Sequence, residues 1–257
     1  MNSNIRSFFN NDADKFAHDR WFHDPVADAE RLLSIELLEG ALNSMTNLNA
    51  DRPTVAVDLG CGPGLWLPHL LKRCDTVIGI DCSERMLEVA RNAEPKAELK
   101  CVDFSGSLPL PDESVDFILL SHSLEYLSNI AHLGREISRV CREDAVICVI
   151  TKNRGAFIWR LWKTIADLLR TNPIPKQYWR SASEISIQLG VVIDDVYGVY
   201  PRIPHKLNDV NDAWGNKCKK FSIGIPKLVK GRSLACLSFL TWHIGVVGRP
   251  HNRARSD

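Results

Sequence analysis

Five short apolar runs punctuate the middle of the chain, at 55–59, 77–80, 99–102, 117–120 and 146–150. Each is four or five residues long and four of them abut an Asp or a Gly, the dimensions of a buried strand rather than a helix. Between them the apolar spacing changes. Met86, Leu87 and Ala90 recur at helical intervals behind Ser83, whose hydroxyl is placed to cap the helix, and Ile130, Leu133, Ile137 and Val140 form a second stripe. Strand and helix therefore alternate from Pro53 to Lys152, the pattern of a parallel sheet covered on both faces, with right-handed crossovers.

The flanks read differently. Residues 1–50 hold a polar, aromatic start followed by a helix with Ala29, Leu32, Leu33, Leu37, Leu38 and Leu42 on one side. After the fifth strand, Gly155–Arg170 is an aromatic, basic amphipathic helix carrying Trp159 and Trp162, closed by Asn172, Pro173 and Pro175. Ser181 and Glu184 form a capping-box pair opening a last helix. Val191–Val199 predicts strand six. Leu234–Val247 is too short to span a bilayer, is interrupted by His243, and predicts an antiparallel strand seven. The expected α/β architecture is a seven-stranded, mostly parallel, doubly wound sheet with an antiparallel last strand plus a helical cap. Its parts are a cap at 1–50, a core at 51–153, a helical insertion and last helix forming a substrate roof at 154–190, and closing strands at 191–257.

The first strand ends in Asp58-Leu-Gly60-Cys61-Gly62-Pro-Gly64, and seventeen residues after Gly64 the second strand ends in Asp81. Closely spaced glycines let the backbone approach a ligand, and the following helix directs its N-terminal N–H groups there. A phosphate cradle needs Gly-Lys-Ser/Thr where this chain has Gly64-Leu65-Trp66, and a dinucleotide fingerprint needs a small residue where Leu65 stands. The carboxylate of Asp81 is placed to accept hydrogen bonds from ribose hydroxyls.

In these residues the chain resembles the class I, Rossmann-like S-adenosylmethionine-dependent methyltransferases of the small-molecule type. The resemblance extends through Asp81-Cys82-Ser-Glu-Arg-Met86-Leu, Cys101-Val-Asp103-Phe104, the segment 109–117 and the run 134–140, about a hundred consecutive residues. It implies that Asp58, Gly60, Cys61, Gly62 and Gly64 wrap the methionine part of S-adenosylmethionine, that Asp81 binds the ribose, and that Cys82, Met86, Asp103 and Phe104 hold the adenine. Ser121 falls at the carboxyl end of strand four, where ligands sit in such sheets. The loop Ser121-His122-Ser123-Leu124-Glu125-Tyr126 faces the methyl group in this fold, which makes His122 the candidate general base, with an ordinary pKa near neutrality. Glu125 orients the loop. Many relatives have a Tyr-Asp pair in the leader, where this chain has Phe16-Ala-His18-Asp19-Arg20-Trp21. His18 or Trp21 substitutes for that tyrosine, or the segment simply packs the leader. Tyr126, Trp159 and Tyr178 complete the candidate substrate contacts, and His205 is a further histidine of the cap.

Composition narrows the partners. The net charge is +1, which gives no overall basic field for nucleic acid, although the C-terminal stretch from Lys217 to Arg255 is locally basic. That stretch is either a solvated face or a contact for an anionic substrate or membrane surface. The eight cysteines include no Cys-x-x-Cys pair and read as small buried hydrophobes in a reducing compartment; no metal is expected. Met1-Asn-Ser-Asn-Ile-Arg lacks an apolar core of signal-peptide length, so a cytoplasmic location is expected. No Asn-Pro-Pro-Tyr motif follows strand four and no Pro-Cys nucleophile is present, which disfavours nucleic-acid bases. The reading is methyl transfer to a small, partly apolar metabolite on O, N or C in biosynthesis, leaving S-adenosylhomocysteine. A tRNA or protein methyltransferase, or a catalytically silent partner subunit, stands as the alternative; acceptor atom and oligomeric state stay open.

Overall fold

The computed structural model describes residues 3–18, 25–45, 52–157, 160, 161, 164, 175–201, 229–230 and 241–251. Its strands are β1 (Val55–Leu59), β2 (Thr76–Asp81), β3 (Glu98–Cys101), β4 (Val115–Ser121), β5 (Cys141–Lys152), β6 (Val191–Pro201), β7 (Val229–Lys230) and β8 (Thr241–Pro250). They form one sheet in the order β3-β2-β1-β4-β5-β8-β6-β7. β1 to β5 run parallel, while β8 is antiparallel to both of its neighbours, β5 and β6. The seven expected strands are all present, and the two-residue β7 is added beyond β6. The closing strand lies further along the chain than the apolar run suggests. It is paired on both sides from His243 onward, opposite Lys152 and Val199, and continues to Pro250 opposite Val191, so ladder hydrogen bonds carry it past its last valine.

Alternation along the strands sorts side chains into two layers. Val57, Leu59, Ile80, Ile118, Leu120, Ile147 and Val149 meet α5 (Ala131–Val140) and α6 (Ala182–Leu189) on one face. Ala56, Val77, Phe117, Leu119, Val146, Cys148 and Ile150 meet α2 (Pro25–Asn43), α3 (Leu67–Leu71) and α4 (Glu84–Ala93) on the other. Two expected cover elements thus belong to the core layers. Leu37, Leu38, Ala41 and Leu42 of α2 are buried under the sheet, and Ile185 and Leu189 of α6 are buried against α5. Their apolar stripes need a partner surface, and the sheet supplies it. Of the leader, α1 (Ser3–His18) reaches over the end of β2, where Ser83 Oγ donates to Asn10 Oδ1 at 2.6 Å. The capping box at Ser181 and Glu184 is formed as expected.

The α5–α6 packing is close enough to forbid a methyl group. A Cβ on Gly134 would lie 2.4 Å from the Gln188 carbonyl oxygen and 2.8 Å from Leu189 Cα, both backbone atoms. Gly134→Ala is expected to lower stability by about 1–3 kcal/mol through overpacking, more than the ~1 kcal/mol that alanine's helix propensity returns. A lowered thermal midpoint with unchanged ligand affinity would bear this out; a raised midpoint would refute it. Cysteines 61, 74, 82, 141 and 148 are buried as expected, but Cys101 is exposed, because β3 is the outer edge of the sheet.

Candidate active site

A cavity opens at the carboxyl ends of β1, β2 and β4. Its floor is the loop after β1, which turns through three glycines in left-handed conformations, Gly60 at φ 83°, Gly62 at φ 53° and Gly64 at φ 85°. At Gly60 a side chain is excluded twice over. The φ disfavours one, and a Cβ there would stand 2.3 Å from Ser123 Cβ. Ser123 fills that space and donates its hydroxyl to the Leu59 carbonyl at 2.7 Å, locking the β1 and β4 loops together.

Asp81 ends β2 against this loop. Its Oδ2 accepts the Gly62 N–H at 3.0 Å and its Oδ1 accepts the Ser83 N–H at 2.8 Å, leaving further lone pairs for a ligand. Burial raises its pKa, opposed by those backbone hydrogen bonds. Asp58 lies deeper. It is fully buried, and neither carboxylate oxygen has a hydrogen-bond partner among the described residues. Burial, and then the neighbouring Asp81 charge, push its pKa up to about 8.

Eight of the expected cofactor contacts wall the cavity: Gly60, Cys61, Gly62, Asp81, Cys82, Met86, Phe104 and Ser121. Three do not. Asp58 sits in the strand beneath the loop, and Gly64 turns the chain into α3, facing Ala90 and Leu67. Asp103 turns its Oδ1 to the Ser105 N–H and hydroxyl, at 2.9 and 2.6 Å, instead of to the cavity. Sequence reading missed Phe9 and Trp66, which also line the wall. The signal for Phe9 was the Phe8-Phe9 pair in an otherwise polar helix; its ring meets Tyr126 edge-on at 5.1 Å.

Tyr126 belongs to this wall and also to a second, larger cavity of about 840 Å³ lined by Phe8, Asn11, Lys176 and Tyr178 among others. The segment carrying Tyr178 is fastened by the Gln177 side-chain amide donating to the Tyr126 hydroxyl at 3.1 Å and by the Tyr178 N–H donating to the Glu125 carbonyl at 2.7 Å. Tyr126 and Tyr178 are therefore brought together. His18 ends α1 but its side chain, like Trp21, Trp159 and His205, lies outside the described residues.

His122 lines the first cavity and holds a left-handed backbone, φ 56°, with its N–H donated to the Ile150 carbonyl at 2.8 Å. Against it lies a cluster that sequence reading did not assemble. The His243 ring meets the His122 ring edge-on at 4.5 Å. Glu30 Oε1 lies 2.5 Å from His243 Nδ1, and Lys152 Nζ lies 2.7 Å from His243 Nε2. Burial would raise the pKa of Glu30, but the proximity of His243, His122 and Lys152 outweighs it and holds the carboxyl below its ordinary range. The one sequence signal was the histidine interrupting the apolar run of the last strand.

Residues 57–149 match the methyltransferase domain family. Among curated proteins, the chain is 28% identical over 153 residues to the biotin biosynthesis bifunctional protein of Cellvibrio japonicus, covering 58% of this chain and 29% of that one. It is 29% identical over 157 residues to the demethylmenaquinone methyltransferase of Tropheryma whipplei, covering 52% and 63%. The chain thus spans less than two thirds of the length of these curated relatives. Among solved structures, the fold matches geranyl diphosphate C-methyltransferase from Streptomyces coelicolor, solved with Mg²⁺, geranyl diphosphate and S-adenosyl-L-homocysteine, at 14% identity and TM-score 0.61 over 96% of both chains. No helix among the described residues is long and apolar enough to cross a membrane.

Proposed function

We propose, from the premise that this chain carries a class I S-adenosylmethionine-dependent methyltransferase domain over residues 57–149, that it transfers a methyl group to a small, partly apolar metabolite in biosynthesis. One observation carries the reading: a single cavity whose wall joins the glycine loop and Asp81 to His122 and Tyr126. The residues fit the methyl donor. Asp81 puts a carboxylate on the cavity wall, with the buried Asp58 beneath the loop, which suits a ligand bearing an ammonium and a sulfonium. Gly60, Cys61 and Gly62 bring the loop to the cavity wall, and Met86 and Phe104 present apolar surface for a purine.

When bound, S-adenosylmethionine supplies an activated methyl for in-line displacement. The chain's part is chiefly to orient. Asp81 fixes the ribose, the loop after β1 holds the amino-acid end, and Tyr126 divides the donor cavity from the larger one, which takes the acceptor. Holding two reactants in line is worth about 7–11 kcal/mol of barrier. His122 is the candidate base for a proton-bearing acceptor, worth about 10²- to 10⁴-fold. The named acceptors of the Tropheryma and Streptomyces proteins, a quinone precursor and a prenyl diphosphate, support a partly apolar acceptor.

Calorimetric titration of S-adenosylmethionine and S-adenosylhomocysteine into the intact protein tests this. Both are expected to bind; absence of heat with either, in folded protein, would end the proposal. A second reading, that the chain works with an activator subunit, draws on its fold similarity to a Haloferax volcanii methyltransferase in complex with the Trm112 activator, at 18% identity and TM-score 0.64 over 97% of this chain. Turnover by the isolated chain would set that reading aside.

A further inference from the structure

Four titratable side chains from four segments meet beside the cavity: Glu30 of α2, His122 after β4, Lys152 at the end of β5 and His243 of β8. Glu30, Lys152 and His243 are buried. A nitrogen of each histidine and a Glu30 carboxylate oxygen all lie within 4.8 Å of one another. The hydrogen bonds fix the protonation pattern. An ammonium has no lone pair, so Lys152 donates to His243 Nε2, and the ring proton of His243 must then sit on Nδ1, directed at Glu30. His243 is therefore neutral and the charges of Glu30 and Lys152 balance. The Trp242 ring, 4.1 Å from the Lys152 nitrogen, holds the ammonium in place.

A divalent metal between the two histidines and Glu30 conflicts with the same bonds. A metal-bound histidine gives its second ring N–H to an acceptor, whereas His243 faces an ammonium on one side and offers a proton on the other.

We propose that Glu30, His243 and Lys152 form a buried relay that holds His122 ready to take a proton from the methyl acceptor, so that the acceptor carries a hydrogen it must lose. Its class is a hydroxyl, an amine N–H or an acidic C–H, rather than a carboxylate that is already ionised. This deepens the methyl-transfer reading and rests on it. As the acceptor atom bonds to the methyl carbon, the carbon's bond to the donor sulfur breaks with its electron pair left on sulfur, and the acceptor's own bond to hydrogen breaks. The electron pair stays on the acceptor and the proton rests on the His122 imidazole, whose positive charge then lies within 4.8 Å of Glu30. Lys152 opposes that charge, so Glu30 and Lys152 act on the His122 imidazole with opposite signs. Glu30, His243 and Lys152 are positioning residues, and His122 alone is catalytic. The other acids near His122 are Glu125, buried on the adjoining turn with Thr151 Oγ1 at 3.2 Å, and Asp58 and Asp81 across the glycine loop.

The test needs no acceptor. In the full chain labelled with ¹³C at histidine Cε1, the His122 resonance, assigned through His122→Asn, is followed against pH. In the wild type it is expected to titrate above the ordinary histidine value of about 6.5. Glu30→Gln should lower that pKa by about 1 to 3 units and Lys152→Met should raise it, opposite signs that a purely structural role does not produce. A wild-type value below about 6.5, or no shift in either folded variant, overturns the relay. If one variant fails to fold the other decides, and if both fail the wild-type titration does. Stoichiometric zinc or iron in the purified protein, with its removal moving the His122 resonance, would overturn it in favour of a metal. Calorimetry with S-adenosylhomocysteine on the same samples separates the two levels. Binding with an unmoved His122 sinks the relay alone, and no binding to wild type sinks the methyl-transfer reading.

Discussion

Asp81→Ala is expected to weaken S-adenosylhomocysteine binding by roughly 10²- to 10³-fold while leaving the sheet folded. Under the proposed function the carboxylate accepts both ribose hydroxyls, and each hydrogen bond to a charged acceptor contributes about 1.5–3 kcal/mol. Two such bonds at the lower bound already give about 3 kcal/mol, a hundredfold and more. The same substitution removes the acceptors of the Gly62 and Ser83 N–H groups, so the loop that should hold the amino-acid end loses its anchor. Calorimetry reads both effects as one affinity loss. An affinity within threefold of wild type would show that the ribose is not held here.

Asp58 should make the unliganded protein less stable as pH rises. Its pKa is raised from 3.8 unfolded to about 8 folded. Below pH about 4 it is protonated in both states and the contribution is fully present. As pH climbs from there toward 8, the unfolded chain releases the proton while the native state keeps it, and stability is lost progressively, on the order of 5 kcal/mol in total. Asp58→Asn removes this slope. Thermal midpoints of the variant should match wild type near pH 4 and exceed it at pH 8. Parallel pH profiles for the two proteins would contradict the assignment.

The donor side of the site was legible in sequence for a physical reason. Gly60, Gly62, Asp81, Cys82 and Met86 lie within 27 consecutive residues, and backbone conformation at the glycines places all of them along one loop and the next strand end. The parallel run of β1 to β5 likewise follows from strand-helix alternation. What stayed hidden depends on packing partners. The stripe of α2 announces burial but not against which surface, so it reads as a cover when it is a core layer carrying Glu30 to the site. Asp103 was expected at the adenine, yet a serine two residues on captures its carboxylate, a local competition that strand spacing does not encode. Lys152 and His243 are 91 positions apart and become neighbours only through the β5–β8 ladder.

That ladder also sets an order of completion during synthesis. Every residue on the donor wall, from Phe9 to Tyr126, is synthesised before β5 begins at Cys141. His243 arrives more than a hundred residues later, inserted between β5 and β6 as part of β8. A nascent chain can thus assemble the donor wall well before it possesses the histidine that ties Glu30 to Lys152. The relay proposed for His122 is complete only once β8 is in place.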